Sequence, residues 1–225
     1  MNYHEDGFYW SHSKFTYDSE EQHTNVWYIT RFLRAKGWTD NAIAGVLGNM
    51  QSESGINPGA YYGYVEFSAV SFGVVQWDPT SKYQKWHDAN YPGVIYEHLG
   101  CQLNRLIYEF GNKIQYYSTS EFPISASAFI HSTEPASYLA KVFVRNYERP
   151  ASVLKSDDET QEEHEAKKAA TYAQRGKQGA HWYEFITGNP DPGGGGGGGG
   201  GVITPWKGFG IRDLLLYGRR RYHVV

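Results

Sequence analysis

The sequence predicts a mainly helical α+β protein with a small β-hairpin element. Three observations support this fold class. Several stretches repeat apolar residues at helical spacing, whereas residues 60–77 are rich in Tyr, Phe, Val and Trp and contain glycines, which is typical of short strands or an extended hairpin. The length of 225 residues suits one domain, or one domain with an appendage. Nine consecutive glycines, 193–201, form no packed element, so they indicate a flexible linker.

Cap and stop residues give the first two helices their boundaries. Thr24 is suited to be an N-cap and Gly37 to end a helix, which predicts a helix over 25–36. The next predicted helix, 40–54, ends at Gly55 and the Asn-Pro turn that follows it. Helical patterns return later and predict helices at 80–90, 97–117, 124–132, 135–148 (ended by Pro150) and 159–187.

Composition divides the chain into four parts. Residues 1–23 are polar and aromatic without clear periodicity, and we interpret them as an N-terminal arm. The predicted domain covers 24–188 and the glycine-rich linker 189–201. The tail, 202–225, is too short to bury a core of its own but carries an apolar cluster, so we expect it to dock onto another protein. Docking back onto its own domain and nucleic-acid binding through Arg219–Arg221 are the alternatives.

Bulk properties exclude several classes of function. A net charge of −3 gives no general case for nucleic-acid binding, and no apolar stretch is long enough to span a membrane. The N-terminus lacks the basic and apolar regions of an ordinary secretion signal, and the single cysteine, Cys101, excludes an intrachain disulfide. No zinc-type His or Cys spacing and no phosphate loop occur, so we predict no metal ion and no cofactor. Aromatic residues make up 16% of the chain, which suits contacts with sugar faces or protein surfaces.

Glu53 continues the apolar face of the second predicted helix. Spacings of i, i+3, i+4 and i+7 connect the residues of this face, which are Ile43, Val46, Leu47 and Met50. Burial disfavours a charged carboxylate, and so does the negative end of the helix dipole. We therefore expect Glu53 to hold a proton near neutral pH, as a general acid does. The alternative is a boundary residue that caps or pairs locally.

Three motifs in order give the chain a family resemblance. The stretches "GNMQSESGINPGA", "SFGVVQW" and "YERP" resemble those of the phage tail lysozyme family, peptidoglycan-cleaving domains at the tips of phage tails. The resemblance covers about 25–187 and implies a lysozyme-like fold in which the glutamate that ends the second helix, here Glu53, is the catalytic acid. The "ES" pair and "FGVVQ" also look, more loosely, like motifs of lytic transglycosylases and goose-type lysozymes.

The hairpin that follows Glu53 is the natural opposite wall of a cleft. Gln76 is suited to hydrogen-bond a sugar or a catalytic water, and Trp77, Tyr61 and Tyr62 to stack on sugar rings. Gly73 would let the backbone approach a ligand closely. For each of these residues the alternative is a role in packing the hairpin.

The identity of a second carboxylate stays open at this level. Hydrolysis of a glycosidic bond usually uses two carboxyl groups. Glu66 lies in the hairpin and is our candidate, whereas Asp78 is either a second candidate or the N-cap of the next helix. A transglycosylase needs only one glutamate, as the resemblance to that class implies. We expect Tyr147, Glu148 and Arg149 of the "YERP" motif to brace the cleft, and the alternative is a direct role at the site.

The resemblance, together with the position of Glu53, implies an enzyme that cleaves the glycan strand of peptidoglycan between N-acetylmuramic acid and N-acetylglucosamine. Its expected location is the phage virion, where residues 1–23 and 202–225 would attach it to tail proteins. The alternatives are a lytic transglycosylase that cuts the same bond and a non-enzymatic tail protein built on a lysozyme scaffold.

Overall fold

The computed structural model describes residues 1–13, 15–63 and 71–193 of the chain. In these ranges two short antiparallel strand pairs accompany seven α-helices, which confirms a mainly helical α+β fold. The elements are β1 (Asn2–His4), β2 (Phe8–Trp10), α1 (Glu20–Arg34), α2 (Asp40–Ser54), β3 (Tyr61–Tyr62), β4 (Ser71–Phe72), α3 (Ser81–Asn90), α4 (Leu99–Gly111), α5 (Ala126–Ile130), α6 (Ala136–Phe143) and α7 (Gln161–Gly188).

Helix α2 is the centre of the core and has the boundaries that the sequence predicts. Thr39 caps its N-terminus by accepting a hydrogen bond from the Ala42 N–H, and Gly55 ends it in the left-handed conformation, with φ at 71°. Every residue from 42 to 50 is buried, so the helix is covered on all sides and not only along its apolar stripe.

Helices α2, α6 and α7 approach one another closely enough to require glycine at their contacts. A Cβ atom on Gly48 would lie 2.5 Å from the backbone nitrogen of Gly179, and one on Gly179 would lie 2.8 Å from the carbonyl oxygen of Ala136. Asn49 adds a polar bridge, because its amide donates to the carbonyl oxygens of Gly45 and Ala140, each at 2.9 Å. This packing fixes α7 against the end of α2.

Helix α1 begins earlier than predicted. Its N-cap is Ser19, which accepts from the Gln22 N–H at 3.3 Å, so the expected start after Thr24 is wrong. Glu20 and Glu21 fill the first turn, where negative charge is favourable. The apolar periodicity begins only with the second turn, and for that reason the pattern missed the first one.

The first ten residues form a hairpin that packs against α1 and belongs to the same compact unit as the rest of Met1–Pro190. Phe8 is fully buried, and the Asn25 side chain bonds both the N–H and the carbonyl oxygen of Tyr9, at 2.8 and 2.9 Å. Much of the segment interpreted as an arm is therefore packed against the domain. The tail, 202–225, lies outside the described residues, and the division of the chain into four parts stays a prediction.

Later helices differ from the predicted ones mainly at their ends. Helix α4 is shorter than predicted at both ends, and Thr160 and Glu163 form a capping box at the start of α7. Helix α6 ends at Phe143, and the chain continues as a single π-turn, Val144–Glu148. In the described part of the chain, no helix combines the length and the hydropathy that a membrane crossing requires.

Candidate active site

A pocket of about 240 Å³ lies between the last turn of α2 and the β3–β4 pair. It contains most of the residues predicted for the site. The lining residues are Ser52, Glu53, Ala60, Tyr61, Tyr62, Ser71 and Gln76. The hairpin therefore forms the wall opposite Glu53, as the sequence predicts.

Glu53 is paired with an arginine from the far end of the sequence. Its side chain is 21% exposed at the pocket and accepts a hydrogen bond from Nη2 of Arg175 on α7. Arg175 is buried and also donates from Nη1 to the carbonyl oxygen of Asn49, at 3.2 Å. A guanidinium stabilises the ionised form of a neighbouring carboxyl group. The side chain of Glu53 therefore has a cationic partner as well as apolar neighbours, and no sequence pattern pointed to Arg175.

Gln76 is held in the hairpin wall by its own side-chain amide. Its Nε2 donates to the carbonyl oxygens of Ala60 and Gly73, at 3.0 and 2.8 Å, and its Oε1 accepts from the Ser71 hydroxyl at 2.9 Å. Both amide hydrogens are thus engaged, and among the described residues only Ser71 donates to Oε1, which can accept a second hydrogen bond. The residue occupies a left-handed backbone conformation, with φ at 50°, and these hydrogen bonds stabilise it there.

Two tyrosines of β3 offer aromatic surface at the pocket. Tyr62 is 72% exposed, and Tyr61 is partly buried. The ring of Tyr61 lies 5.2 Å from that of His12, which in turn lies 5.4 Å from Trp10 of β2. An aromatic row from the N-terminal hairpin therefore reaches the pocket, and Tyr62 has the free ring face that stacking on a sugar requires.

Trp77 and Gly73 do not face the pocket. Trp77 is only 4% exposed, and its indole N–H donates to Oε2 of Glu109 at 3.1 Å. Its ring stacks on Tyr83, so it has no free face for a sugar. Gly73 has φ at 86°, and a Cβ atom there would lie 2.8 Å from both Gln102 Oε1 and the Trp77 ring. The turn and its packing explain this glycine without a ligand.

The two candidates for a second carboxylate have different outcomes. Glu66 lies outside the described residues. Asp78 is not the N-cap of α3, because Thr80 occupies that position. Asp78 instead lines a second cavity, of about 80 Å³, which shares Gln76 with the pocket at Glu53. The other residues around this cavity are Val75, Gln76, Trp77, Lys82, Gln115, Tyr147 and Glu148.

Glu148 is a carboxyl group near the pocket, and bracing the cleft was the role that we expected for it. Its Oε1 is buried and has no hydrogen-bond partner among the described residues. Burial raises its pKa well above the usual value, the negative charge of Glu53 raises it further, and Arg175 acts in the opposite direction. The π-turn, which helical periodicity does not predict, sets the position of this side chain.

The rest of the "YERP" motif supports the wall from behind. The Tyr147 hydroxyl donates to Glu109, which also accepts from Nε of Arg105 at 2.8 Å. Burial raises the pKa of Tyr147, so the phenol remains a donor. Arg149 donates to the carbonyl oxygens of Gln115 and Asn146, at 2.8 and 2.7 Å.

One group of side chains away from the pocket has the composition of a metal site. Ligand atoms of His4, Asp6 and His98 lie within 4.8 Å of one another. His98 caps α4 by accepting from the Cys101 N–H at Nδ1, so its proton is on Nε2, which lies 2.8 Å from Asp6 Oδ2. A metal ion on Nε2 would move that proton to Nδ1 and remove the cap. Hydrogen bonding therefore accounts for this cluster better than metal binding does.

Comparison with known proteins identifies the family of the chain. The sequence model of the phage tail lysozyme family matches residues 24–186. Morphogenesis protein 1 of Bacillus phage B103 is 36% identical over 184 residues, which are 81% of this chain and 45% of that protein. The chain thus spans less than half the length of that relative. The match over most of the predicted domain confirms the resemblance, and the chain belongs to the phage tail lysozyme family.

Proposed function

We propose that this protein is a peptidoglycan-degrading glycosidase of a phage tail, and that it cleaves the bond between N-acetylmuramic acid and N-acetylglucosamine. The observation that carries the proposal is the position of Glu53, which ends α2 at an open pocket opposite the β3–β4 wall. Family membership supports the same reaction class. The exposed ring of Tyr62 supplies an apolar surface for a sugar at this pocket.

Glu53 is the proposed general acid. Cleavage requires a proton for the leaving glycosidic oxygen and stabilisation of an oxocarbenium-like centre. The O–H bond of Glu53 breaks, the glycosidic oxygen gains the proton, and the bond between that oxygen and the anomeric carbon breaks. The oxygen of a water molecule forms the new bond to the anomeric carbon, and the water loses a proton to the second carboxylate. Donation leaves a negative charge on Glu53, and Arg175 stabilises that charge because it already pairs with this carboxylate.

A lytic transglycosylase is the second candidate, and one observation favours it. Among the described residues that line the pocket, Glu53 is the only one with a carboxyl group. In that reaction the sugar's own 6-hydroxyl replaces water, so no second carboxylate is needed. Glu66 is the proposed second carboxylate if the reaction is hydrolysis.

The masses of the soluble products distinguish these functions. Purified peptidoglycan is digested with the full chain and, in parallel, with Glu53→Gln. Hydrolysis yields reducing ends, whereas transglycosylation yields 1,6-anhydro ends that are one water lighter. A tail protein without enzymatic activity releases no more product than the variant does, and that result would remove the proposed function.

We further propose that the protein acts from the virion, on the host cell wall, and is attached to tail proteins. Residues 202–225 are the main proposed attachment. Within residues 1–23, the positions proposed to contact tail proteins are those that face outward. Met1 and Tyr3, which are 65% and 60% exposed, are examples. The test is assembly of phage with a chain that lacks 188–225. Normal incorporation of that chain into particles would exclude the tail as the attachment.

A further inference from the structure

Glu148 is a second carboxyl group beside the proposed acid, and the mechanism above does not use it. Its Oε1 is buried without a hydrogen-bond partner among the described residues. A buried, unsatisfied carboxyl oxygen is costly, and more so when the group is charged. The residue thus carries a cost that a purely structural side chain, such as a glutamine or methionine, would reduce.

The same cluster contains a donor without an acceptor. Arg175 uses Nη2 for Glu53 and Nη1 for the Asn49 carbonyl, but its Nε is buried and has no partner in the described part of the chain. Glu148 interacts electrostatically with both Glu53 and Arg175. One guanidinium therefore stands among two carboxyl groups, and it is paired with only one of them.

Two guanidinium groups act on Glu148, but neither forms a hydrogen bond with its buried Oε1. Arg175 is paired with Glu53, and Arg149 donates to the carbonyl oxygens of Gln115 and Asn146. A negative charge on Glu148 would therefore be buried without a hydrogen-bonded cation among the described residues, and a proton on this group removes that cost. Glu109 also acts on Glu148, but it is already paired with Arg105. Carboxyl groups that interact strongly exchange their protons as a unit.

We propose that Glu53 and Glu148 share one proton across Arg175, and that Glu148 is the positioning residue that allows Glu53 to become protonated for catalysis. With the proton on Glu148, Arg175 pairs with ionised Glu53, which is the arrangement in the structure. When the O–H bond of Glu148 breaks and a proton binds Glu53, the guanidinium turns to the new carboxylate of Glu148. The total number of protons is unchanged, and neutral Glu53 faces the pocket.

Several charged groups surround Glu148 and take part in its titration. Glu53 approaches it from α2, Arg175 from α7 and Glu109 from α4, and Arg149 follows it in the chain. Two further charged residues, Asp78 and Lys82, line the small cavity that Glu148 also lines. Of these groups, Glu53 has the largest effect on Glu148, and the test is built on this pair.

The first test is the pH dependence of peptidoglycan cleavage by the full chain, and it rests on the proposed function. Without the carboxyl group of Glu148, Arg175 stays paired with Glu53 and favours its ionised form. In Glu148→Gln we therefore expect the fall in activity on the alkaline side of the pH profile to occur about one pH unit lower, or more, than in the wild type. Glu148→Asp keeps an acid and should move this fall part of the way back. Glu165→Gln, an exposed residue of α7, is the matched control and should leave the profile unchanged. If activity of Glu148→Gln falls at the same alkaline pH as that of the wild type, the proposal is overturned, even if the maximal rate of the variant is lower.

A second readout separates this proposal from the proposed function. The titration of the glutamate carboxyl carbons is followed by carbon-13 NMR in the wild type, Glu53→Gln and Glu148→Gln. We expect Glu148 to titrate at lower pH once the charge of Glu53 is removed. If the titration of Glu148 depends on Glu53 but the protein cleaves no peptidoglycan, the shared proton is supported and the proposed enzymatic function is overturned. If the enzyme is active but Glu148 titrates at the same pH with and without the Glu53 carboxylate, only the proposal of a shared proton is overturned.

Discussion

Replacing Gly48 by alanine tests the packing that holds the candidate site together. Gly48 lies in α2 five residues before Glu53, and Gly179 lies in α7 four residues after Arg175. A Cβ atom at position 48 would lie 2.5 Å from the Gly179 nitrogen, 2.9 Å from its Cα and 3.1 Å from the Arg175 carbonyl oxygen. All three are backbone atoms, so no side chain can rotate away and α7 itself has to move.

The expected cost follows from two opposing effects. Alanine gains about 1 kcal/mol over glycine inside a helix. Overpacking a core costs about 1–3 kcal/mol and more when the neighbours cannot relax, as is the case for backbone atoms here. We therefore expect Gly48→Ala to lower the free energy of unfolding by about 2 kcal/mol. For a domain of this size that loss lowers Tm by about 4–8 °C.

Thermal unfolding followed by circular dichroism measures this effect. Gly188→Ala, at the end of the same α7, is the control, because a Cβ atom there meets no described atom within 4 Å. We expect the control to match the wild type or to exceed it slightly. Gly48→Ala should also reduce peptidoglycan cleavage, since α7 carries Arg175. A Gly48→Ala protein as stable as the wild type would refute the backbone contact between α2 and α7.

Three further predictions concern single side chains. Tyr62→Ala should raise KM for glycan by about 2- to 10-fold and leave Tm nearly unchanged, because the ring is exposed; an unchanged KM would remove Tyr62 from the binding surface. Trp77→Phe should lower the free energy of unfolding by about 1–3 kcal/mol, because Glu109 loses a buried donor, and should leave KM unchanged; the reverse pattern would place Trp77 in the binding surface. The free energy of unfolding of Glu148→Gln, relative to that of the wild type, should increase as the pH rises above about 4.5. The increase is at most about 1.4 kcal/mol per pH unit. The raised pKa of Glu148 means that the unfolded chain releases its proton first, so the wild type loses stability over this interval and the variant does not. Urea unfolding at several pH values measures this difference, and a constant difference would contradict the assignment.

Local signals allowed the sequence to predict α2 and the hairpin wall. Thr39 and Gly55 are cap residues whose chemistry acts within one turn, so the bounds of α2 follow from the sequence. Glu53 could be chosen as a candidate because its position relative to the apolar stripe is also a local property. The first turn of α1 was missed because its residues are polar, although Ser19 is a good N-cap.

Contacts between distant segments were beyond the reach of sequence patterns. Arg175 follows Glu53 by 122 residues, and only the packing of α7 on α2 brings the two together. The motif that contains Trp77 indicates an aromatic hairpin but not which side of the turn the ring occupies. A π-turn changes the helical phase just before Glu148, so a helical projection gives this side chain a wrong direction.

The rate of peptidoglycan solubilisation by Glu53→Gln tests the central claim most directly. Glutamine keeps the size of the side chain and an oxygen that accepts from Arg175, but its amide has no acidic proton to transfer to the glycosidic oxygen. The account predicts a loss of about 100- to 10,000-fold relative to the wild type, with an unchanged fold by circular dichroism and with full activity in the Glu165→Gln control. A Glu53→Gln protein that solubilises peptidoglycan within about twofold of the wild-type rate, far inside the range expected for a lost general acid, would contradict it.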